Sequence, residues 1–338
     1  MQIREGVALK DHSTFHVGGP ADFFVAVSSK EELREALVWA QSKGIAWHVI
    51  GEGSNILFPD AGVRGLIIKN GIGGITHTQS AEGVTLAVGA GVLLDDAVRY
   101  ACMEGWWGLE NLSAIPGTVG ATPVQNVGAY GVEVADRIAQ VSVYDVKTDT
   151  FSVLSPEDCR FSYRHSLFKE EEGARYVVCE VLFFLSHMYG PMLGYRDLLP
   201  LEEGKNTLTP LRVREEVTVI RSKKFPDWHV VGTAGSFFKN PTVTKDVYAE
   251  LCTTYPELPA HETQDGHMKI ALGWVLDHVC GLKGVREGCV GTFAAQALVV
   301  VAYEGATAED IFSFTEKIRT CVEEKCGIVI EREVRMLS

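Results

Sequence analysis

Long hydrophobic runs are missing from this 338-residue chain. The longest unbroken apolar stretches, Val181–Leu185 and Ala297–Ala302, fall far short of the ~18–20 residues of a membrane-spanning helix. The opening Met1-Gln2-Ile3-Arg4-Glu5-Gly6 has no apolar leader core, so no secretory signal is expected. Positive charge is scarce too: 31 Lys and Arg stand against 44 Asp and Glu, a formal charge of −13. That field repels nucleic acid and anionic lipid, and neither is expected as a partner. Eight cysteines occur without any Cys-x-x-Cys, and no histidine stands near them at zinc-site spacing, so no metal is expected. They read as reduced thiols of a cytoplasmic protein, in which the sequon Asn111-Leu112-Ser113 is irrelevant. Disorder is excluded as well, because 46% hydrophobic and 22% charged residues can bury a large core.

What is present alternates helix and strand patterns without internal repeats, over a length that suits two or three domains. Ser29-Lys30-Glu31-Glu32 is a capping box, followed by Leu33, Ala36, Leu37 and Ala40 at helical spacing and a stop at Gly44. Strands are expected over 45–50, 66–68 and 84–88, and a helix carries Leu94, Ala97, Val98 and Ala101 up to Gly105. Residues 141–146 and 151–154 flank a turn and read as a hairpin, and 176–185 is a further strand. Thr209-Pro210 opens a helix with Val213, Val217 and Ile220 on one face. More helices are expected near 245–252, 269–279 and 308–325, and 328–337 reads as a closing strand.

Four segments carry chemistry. From Asn111 to Val132 there is no charged side chain, and small residues, glycines, Gln125, Asn126 and Tyr130 punctuate the apolar positions. Backbone N–H groups can approach a phosphate closely there, and a buried connection between strands is an equally open reading. Gly51-Glu52-Gly53-Ser54-Asn55 follows a strand but has Ile56 where a dinucleotide loop needs its third glycine, so it is not a Rossmann turn. In Thr233–Pro241 small residues leave Ser236 open, and an extended run places Ser236, Phe238 and Asn240 on one face. In the closing strand, period two places Val329, Glu331, Glu333, Arg335 and Leu337 on one face, either a solvated edge or a polar site. Arg212, Arg214, Arg221, Lys223 and Lys224 form the one basic cluster, a solvated helix face or a seat for a small anion.

Seven ordered blocks resemble the UDP-N-acetylenolpyruvoylglucosamine reductase family of peptidoglycan synthesis. They are Thr14-Phe15-x-x-Gly18-Gly19, Gly51–Asn55, Ile115–Gly131, Phe161-x-Tyr163-Arg164-x-Ser166-x-Phe168-Lys169, Ala234–Pro241, Asp265-Gly266-x-x-Lys269-x-Ala271-x-Gly273-Trp274 and Glu331-x-Glu333-Val334-Arg335. Pro191–Leu198, with Tyr195, is similar to the tyrosine loop of the family's type I members. The resemblance implies an α+β chain with an FAD-binding fold of the vanillyl-alcohol-oxidase type in two subdomains, 1–70 with 327–338 and 71–225. A C-terminal α+β substrate-binding domain, 226–326, follows. It also implies a monomer with bound FAD, using NADPH to reduce the enolpyruvyl ether of UDP-N-acetylglucosamine to UDP-N-acetylmuramate.

Site residues follow by motif match only. Arg164 and Glu333 would polarise the substrate carboxylate and Ser236 would donate a proton, with Glu331 as second choice to Glu333. Gly51, Glu52, Gly53, Ser54, Asn55, Ile115, Pro116, Gly117, Gly120, Ala121, Asn126, Gly128, Ala129, Tyr130, Arg221 and Arg335 would hold the flavin. Tyr163, Tyr195, Lys224, Asn240, His261, Lys269 and Gln296 would bind substrate. Ser13, His261, Ala302 and the stretch Thr292–Ala295 depart from the family pattern, which touches the edges of the substrate site. Two rivals remain: a flavin oxidase of the same fold acting on an alcohol or sugar, and a non-catalytic relative that binds a nucleotide sugar.

Overall fold

The structure, a computed structural model, describes residues 1–188, 190–263 and 265–337. The chain divides into two compact units. One comprises Met1–Val7, Ala21–Glu52 and Arg64–Arg221; the other comprises Ala8–Pro20, Gly53–Val63 and the chain from Ser222 on.

The first unit holds two sheets. One runs in the order Arg4–Ala8, Pro20–Val27, Val63–Asn70, Trp47–Ile50, with the last two strands parallel. The helix Lys30–Lys43 covers it with Leu33, Ala36, Leu37 and Ala40, which pack with Val25, Val27, Leu66 and Ile68. Ser29 accepts from the Glu32 N–H at 3.2 Å, but the Glu32 carboxylate turns to the Ser28 N–H at 2.7 Å. The reciprocal bond of the capping box therefore closes one residue early. Gly44, at φ 65°, ends the helix and returns its N–H to Ala40 and Gln41. The strand after it starts only at Trp47, because the Ile45 N–H is still bonded to Ala40.

The other sheet is antiparallel, in the order Thr150–Leu154, Ile138–Asp145, Tyr176–Leu185, Val84–Gly89, Ile75–Gln79. Its alternating residues Leu86, Val88, Val141, Val143, Val181 and Phe183 are buried with Ala97, Val98 and Ala101 of the helix Leu94–Met103. The expected hairpin is present, with Asp149 in the left-handed region of its turn. The helix Pro210–Lys224 buries Val213 and Val217, and the Thr209 hydroxyl caps it by accepting from the Arg212 N–H.

The second unit is built on the sheet Gly232–Ser236, Gln296–Ala302, Val290–Phe293, Arg286–Glu287, and the helix Ala308–Cys326 buries Ile311, Phe314, Ile318 and Val322 in the same core. Thr307 and Asp310 cap that helix reciprocally. The Asp60 carboxylate adds two bonds, from the N–H groups of Ala308 at 2.8 Å and Glu309 at 3.0 Å. A negative charge on free N–H groups at a helix start is doubly favourable.

Three expectations need correction here. The helix near 269–279 begins only at Leu272, because Met268–Ile270 is a strand, and it runs Leu272–Trp274 into one π turn, Val275–Val279. The closing strand is broken: only Arg335–Met336 pairs as a strand, parallel to Ile56–Leu57, while Arg332 bridges to Phe238. Val329 is 63% exposed and Leu337 is 6% exposed, so the expected common face of 329, 331, 333, 335 and 337 does not exist. In the Ser236 segment the register shifts between Thr233 and Ser236, where Gly235 has φ 74°. Phe237 and Phe238 are consequently both buried, and Phe238 belongs to the core rather than to an open face with Ser236.

Asp60→Ala should lower stability by about 1–2 kcal/mol through the lost cap, read as a lower urea midpoint with an unchanged slope.

Candidate functional site

In the first unit the uncharged segment folds as a series of turns. It carries the 3-10 turns Glu110–Leu112 and Val119–Ala121, and the small hairpin Gly128–Ala129 with Val132–Glu133. Among the described residues seven non-glycine residues have positive φ; of these Ala114, Asn126 and Tyr130 lie in this segment and Arg164 lies in a segment bonded to it. Such conformations persist only where surroundings fix them, and they collect at functional sites.

The fixing partners can be named. The Asp95 carboxylate accepts from the Ala114 N–H and from both terminal nitrogens of Arg214, one at 2.8 Å. Burial opposes charge on Asp95, but the Arg214 guanidinium and the Ala114 N–H outweigh it and hold the carboxyl below its ordinary range. Arg221 Nε donates to the Ala114 carbonyl at 3.1 Å. Burial pushes the Arg221 guanidinium below its usual range and the Tyr130 phenol up to about 12, although each is held toward its charged form by the other. Asn126 is buried and fully engaged: its Nδ2 donates to Glu133 Oε2 at 2.7 Å and to the Ser162 carbonyl at 3.1 Å, and its Oδ1 accepts from the Ala135 N–H. Arg164 donates to the carbonyls of Gly128 at 2.9 Å and Asn126 at 3.4 Å, and its guanidinium lies 5.1 Å from the Tyr163 ring centre. Tyr195 meets Tyr130 edge to face at 5.2 Å.

The first glycine turn reaches the same strip. A Cβ on Gly51 would lie 2.3 Å from Thr118 Oγ1, so only glycine permits that approach. Among the described residues the N–H groups of Gly117 and Thr118 meet no protein acceptor. Glu52 pairs with Lys69 at 3.1 Å. Ile115 and Gly120 are half-buried, and Pro116 and Ala121 are exposed. A surface of uncharged backbone, open N–H groups and a tyrosine ring is what a flavin dinucleotide requires of a protein. The residues present therefore fit FAD.

In the second unit, the Ser236 strand and the last residues meet. The Glu333 N–H donates to the Phe237 carbonyl at 2.8 Å, and the Lys239 N–H to the Glu331 carbonyl at 2.9 Å. Asn55 joins them: its Nδ2 donates to the Glu333 carbonyl at 3.2 Å and its carbonyl accepts from the Arg335 N–H at 3.0 Å. Ser236 and Glu333 are both half-buried, whereas Glu331 is exposed and pairs with Lys239. Gly53 is buried and packs on the His12 carbonyl. Ser54 and Lys224 are half-buried. Asn240 Oδ1 accepts from the Leu272 N–H at 3.1 Å, and Gln296 Oε1 accepts from the Leu298 N–H. His261 faces Lys269 across a strand pair; partial burial and that lysine lower its pKa. Sequence reasoning missed Asp95, Arg214 as its partner, and Glu133. Their spacings in sequence, Asp95 to Arg214 above all, leave no periodic signal.

Comparison with known proteins fits this geometry. Residues 21–153 match the family described as FAD binding domain, and residues 226–337 match the C-terminal domain of UDP-N-acetylenolpyruvoylglucosamine reductase. The curated reductase of Porphyromonas gingivalis is 37% identical over 100% of both chains. That of Chromobacterium violaceum is 38% identical over 100% of this chain and 99% of its own. The crystal structure of the Thermus caldophilus reductase aligns over 100% of both chains with a TM-score of 0.69 and 28% identity. The fold is thus that of an FAD-binding oxidoreductase of the vanillyl-alcohol-oxidase type. Within that class, the chain belongs to the UDP-N-acetylenolpyruvoylglucosamine reductase family.

Two outcomes follow. Gly51→Ala should weaken FAD retention by about tenfold or more, since overpacking costs about 1–3 kcal/mol, and Thr118→Ala should restore part of it; flavin released on dilution reads both. Folding lowers the Asp95 pKa, so this carboxylate adds stability that is present above the ordinary carboxylate range and is lost as pH falls through the lowered value. Asp95→Asn should be less stable than the parent at neutral pH, and urea midpoints should begin to converge only as pH falls below about 4.

Proposed function

We propose that this chain carries out the reaction its family is named for: reduction of UDP-N-acetylglucosamine enolpyruvate to UDP-N-acetylmuramate, with FAD and NADPH, in peptidoglycan precursor synthesis. Identity of 37% over the whole of a curated reductase carries the reading. No helix among the described residues is long and apolar enough to cross a membrane, and a cytoplasmic location belongs to the proposal. The finer division into 1–70 with 327–338, 71–225 and 226–326, the type I assignment and a monomeric state belong to the same proposal.

When bound, FAD supplies hydride transfer, from NADPH to the methylene carbon of the enolpyruvyl group. The protein then has two tasks, to stabilise the negative charge that develops on the substrate carboxylate and to protonate the neighbouring carbon. Preorganised donors serve the first. Arg164 suits it, because its guanidinium is oriented by the Gly128 and Asn126 carbonyls before any ligand arrives. Glu333 suits it when protonated, as a carboxylic acid that donates. Ser236, half-buried and one residue from the carbonyl that accepts the Glu333 N–H, delivers the proton. Tyr163, Tyr195, Lys224, Asn240, His261, Lys269 and Gln296 bind the sugar nucleotide. Gly51–Asn55, Ile115–Gly117, Gly120, Ala121, Asn126, Gly128–Tyr130, Arg221 and Arg335 hold the flavin. Asn126 does so through its backbone, since its side chain is engaged within the protein.

Stopped-flow measurement of Ser236→Ala separates the two halves of the reaction. Flavin reduction by NADPH should stay near the parent rate while reoxidation by substrate slows by about 10²–10⁴-fold. Equal slowing of both halves would reject Ser236 as the proton donor.

A further inference from the structure

Asn111 is completely buried, and its amide lies between two carbonyls. Nδ2 donates to the Tyr130 carbonyl and to the Met192 carbonyl, each at 2.8 Å. A side-chain amide nitrogen carries two hydrogens, so both are used. The orientation is forced, because the reversed amide would set Oδ1 against two carbonyl oxygens. Oδ1 itself is buried and accepts no hydrogen bond among the described residues, so the donors are the reason an amide occupies this position.

The two carbonyls belong to different working parts. Tyr130 lies in the uncharged strip, and Met192 lies in the loop that carries Tyr195. Apolar packing of the loop is local. Leu193 and Leu198 pack in a small cluster with Trp107, Tyr130, Val213 and Val217. Met188 is 78% exposed and Leu199 is 50% exposed. In so small a cluster a two-way polar clamp has disproportionate leverage on where the Tyr195 ring sits.

We propose that Asn111 is a positioning residue that fixes the Tyr195 loop on the strip containing Tyr130. Through that loop it sets affinity for the diphosphate-bearing sugar nucleotide and leaves flavin reduction unaffected. The proposal rests on the reading above that Tyr195 contacts this substrate.

The test uses the FAD-loaded enzyme and three variants, Asn111→Leu, Leu193→Ala and Tyr195→Phe. Leu193→Ala loosens the loop without touching Asn111, which keeps the test informative if Asn111→Leu folds poorly. Two readouts are taken: tryptic cleavage after the exposed Arg196, and the substrate concentration that half-saturates flavin reoxidation. Asn111→Leu and Leu193→Ala should both be cleaved faster. Both should raise half-saturation, Asn111→Leu by about tenfold, the effect of one or two lost hydrogen bonds, with flavin reduction at saturating NADPH within about twofold of the parent. Unchanged cleavage in Asn111→Leu, or equal slowing of both halves of the reaction, would overturn the proposal. If Tyr195→Phe raises half-saturation and Asn111→Leu does not, the clamp alone is overturned. If neither does, the substrate role of Tyr195 falls with it.

Discussion

A chain that offers a ligand its backbone rather than its charges must hold that backbone in place by other means. From Asn111 to Val132 there is no charged side chain, and three non-glycine residues of the segment adopt left-handed conformations that only the surroundings can maintain. The holding groups come from outside it or from its edges. Asp95 and Arg221 grip the N–H and the carbonyl of Ala114, and Glu133 and Ser162 hold Asn126. Charge is kept at the periphery, paired, and the strip itself stays neutral. A neutral strip with open N–H groups suits a dinucleotide whose own phosphates bring the charge.

The second unit solves a related problem with strand pairing. The last residues of the chain return to lie against the strand that ends in Ser236, and Asn55 stitches the junction through side chain and backbone at once. Arg332 reaches Glu316 of the long helix and stacks on Phe312 at 4.8 Å. Glu331 is thus held by Lys239, Arg332 by Glu316, Glu333 by Phe237 and Asn55, and Arg335 by Asn55.

Much of the fold could be read in the sequence where a period governs. The helix Lys30–Lys43, the strand Tyr176–Leu185 and the helix Ala308–Cys326 follow from spacing and caps alone. Periodicity misled where one glycine reset the register. Gly235 turns the Ser236 segment so that two successive phenylalanines enter the core, and a bend at Val334 breaks the closing strand. The candidate site was legible as ordered motifs, but not as geometry. Asp95 and Arg214 are far apart in sequence and share no pattern, and Asn111 stood out only as an irrelevant sequon. Buried polar anchors leave their mark in three dimensions, where every donor must find an acceptor.

The most direct measurement is an anaerobic titration of the purified flavoprotein. NADPH should bleach the flavin, and one equivalent of UDP-N-acetylglucosamine enolpyruvate should then restore its colour while yielding the lactyl ether. Flavin that stays bleached with that compound and recovers only on admitting oxygen would contradict the account.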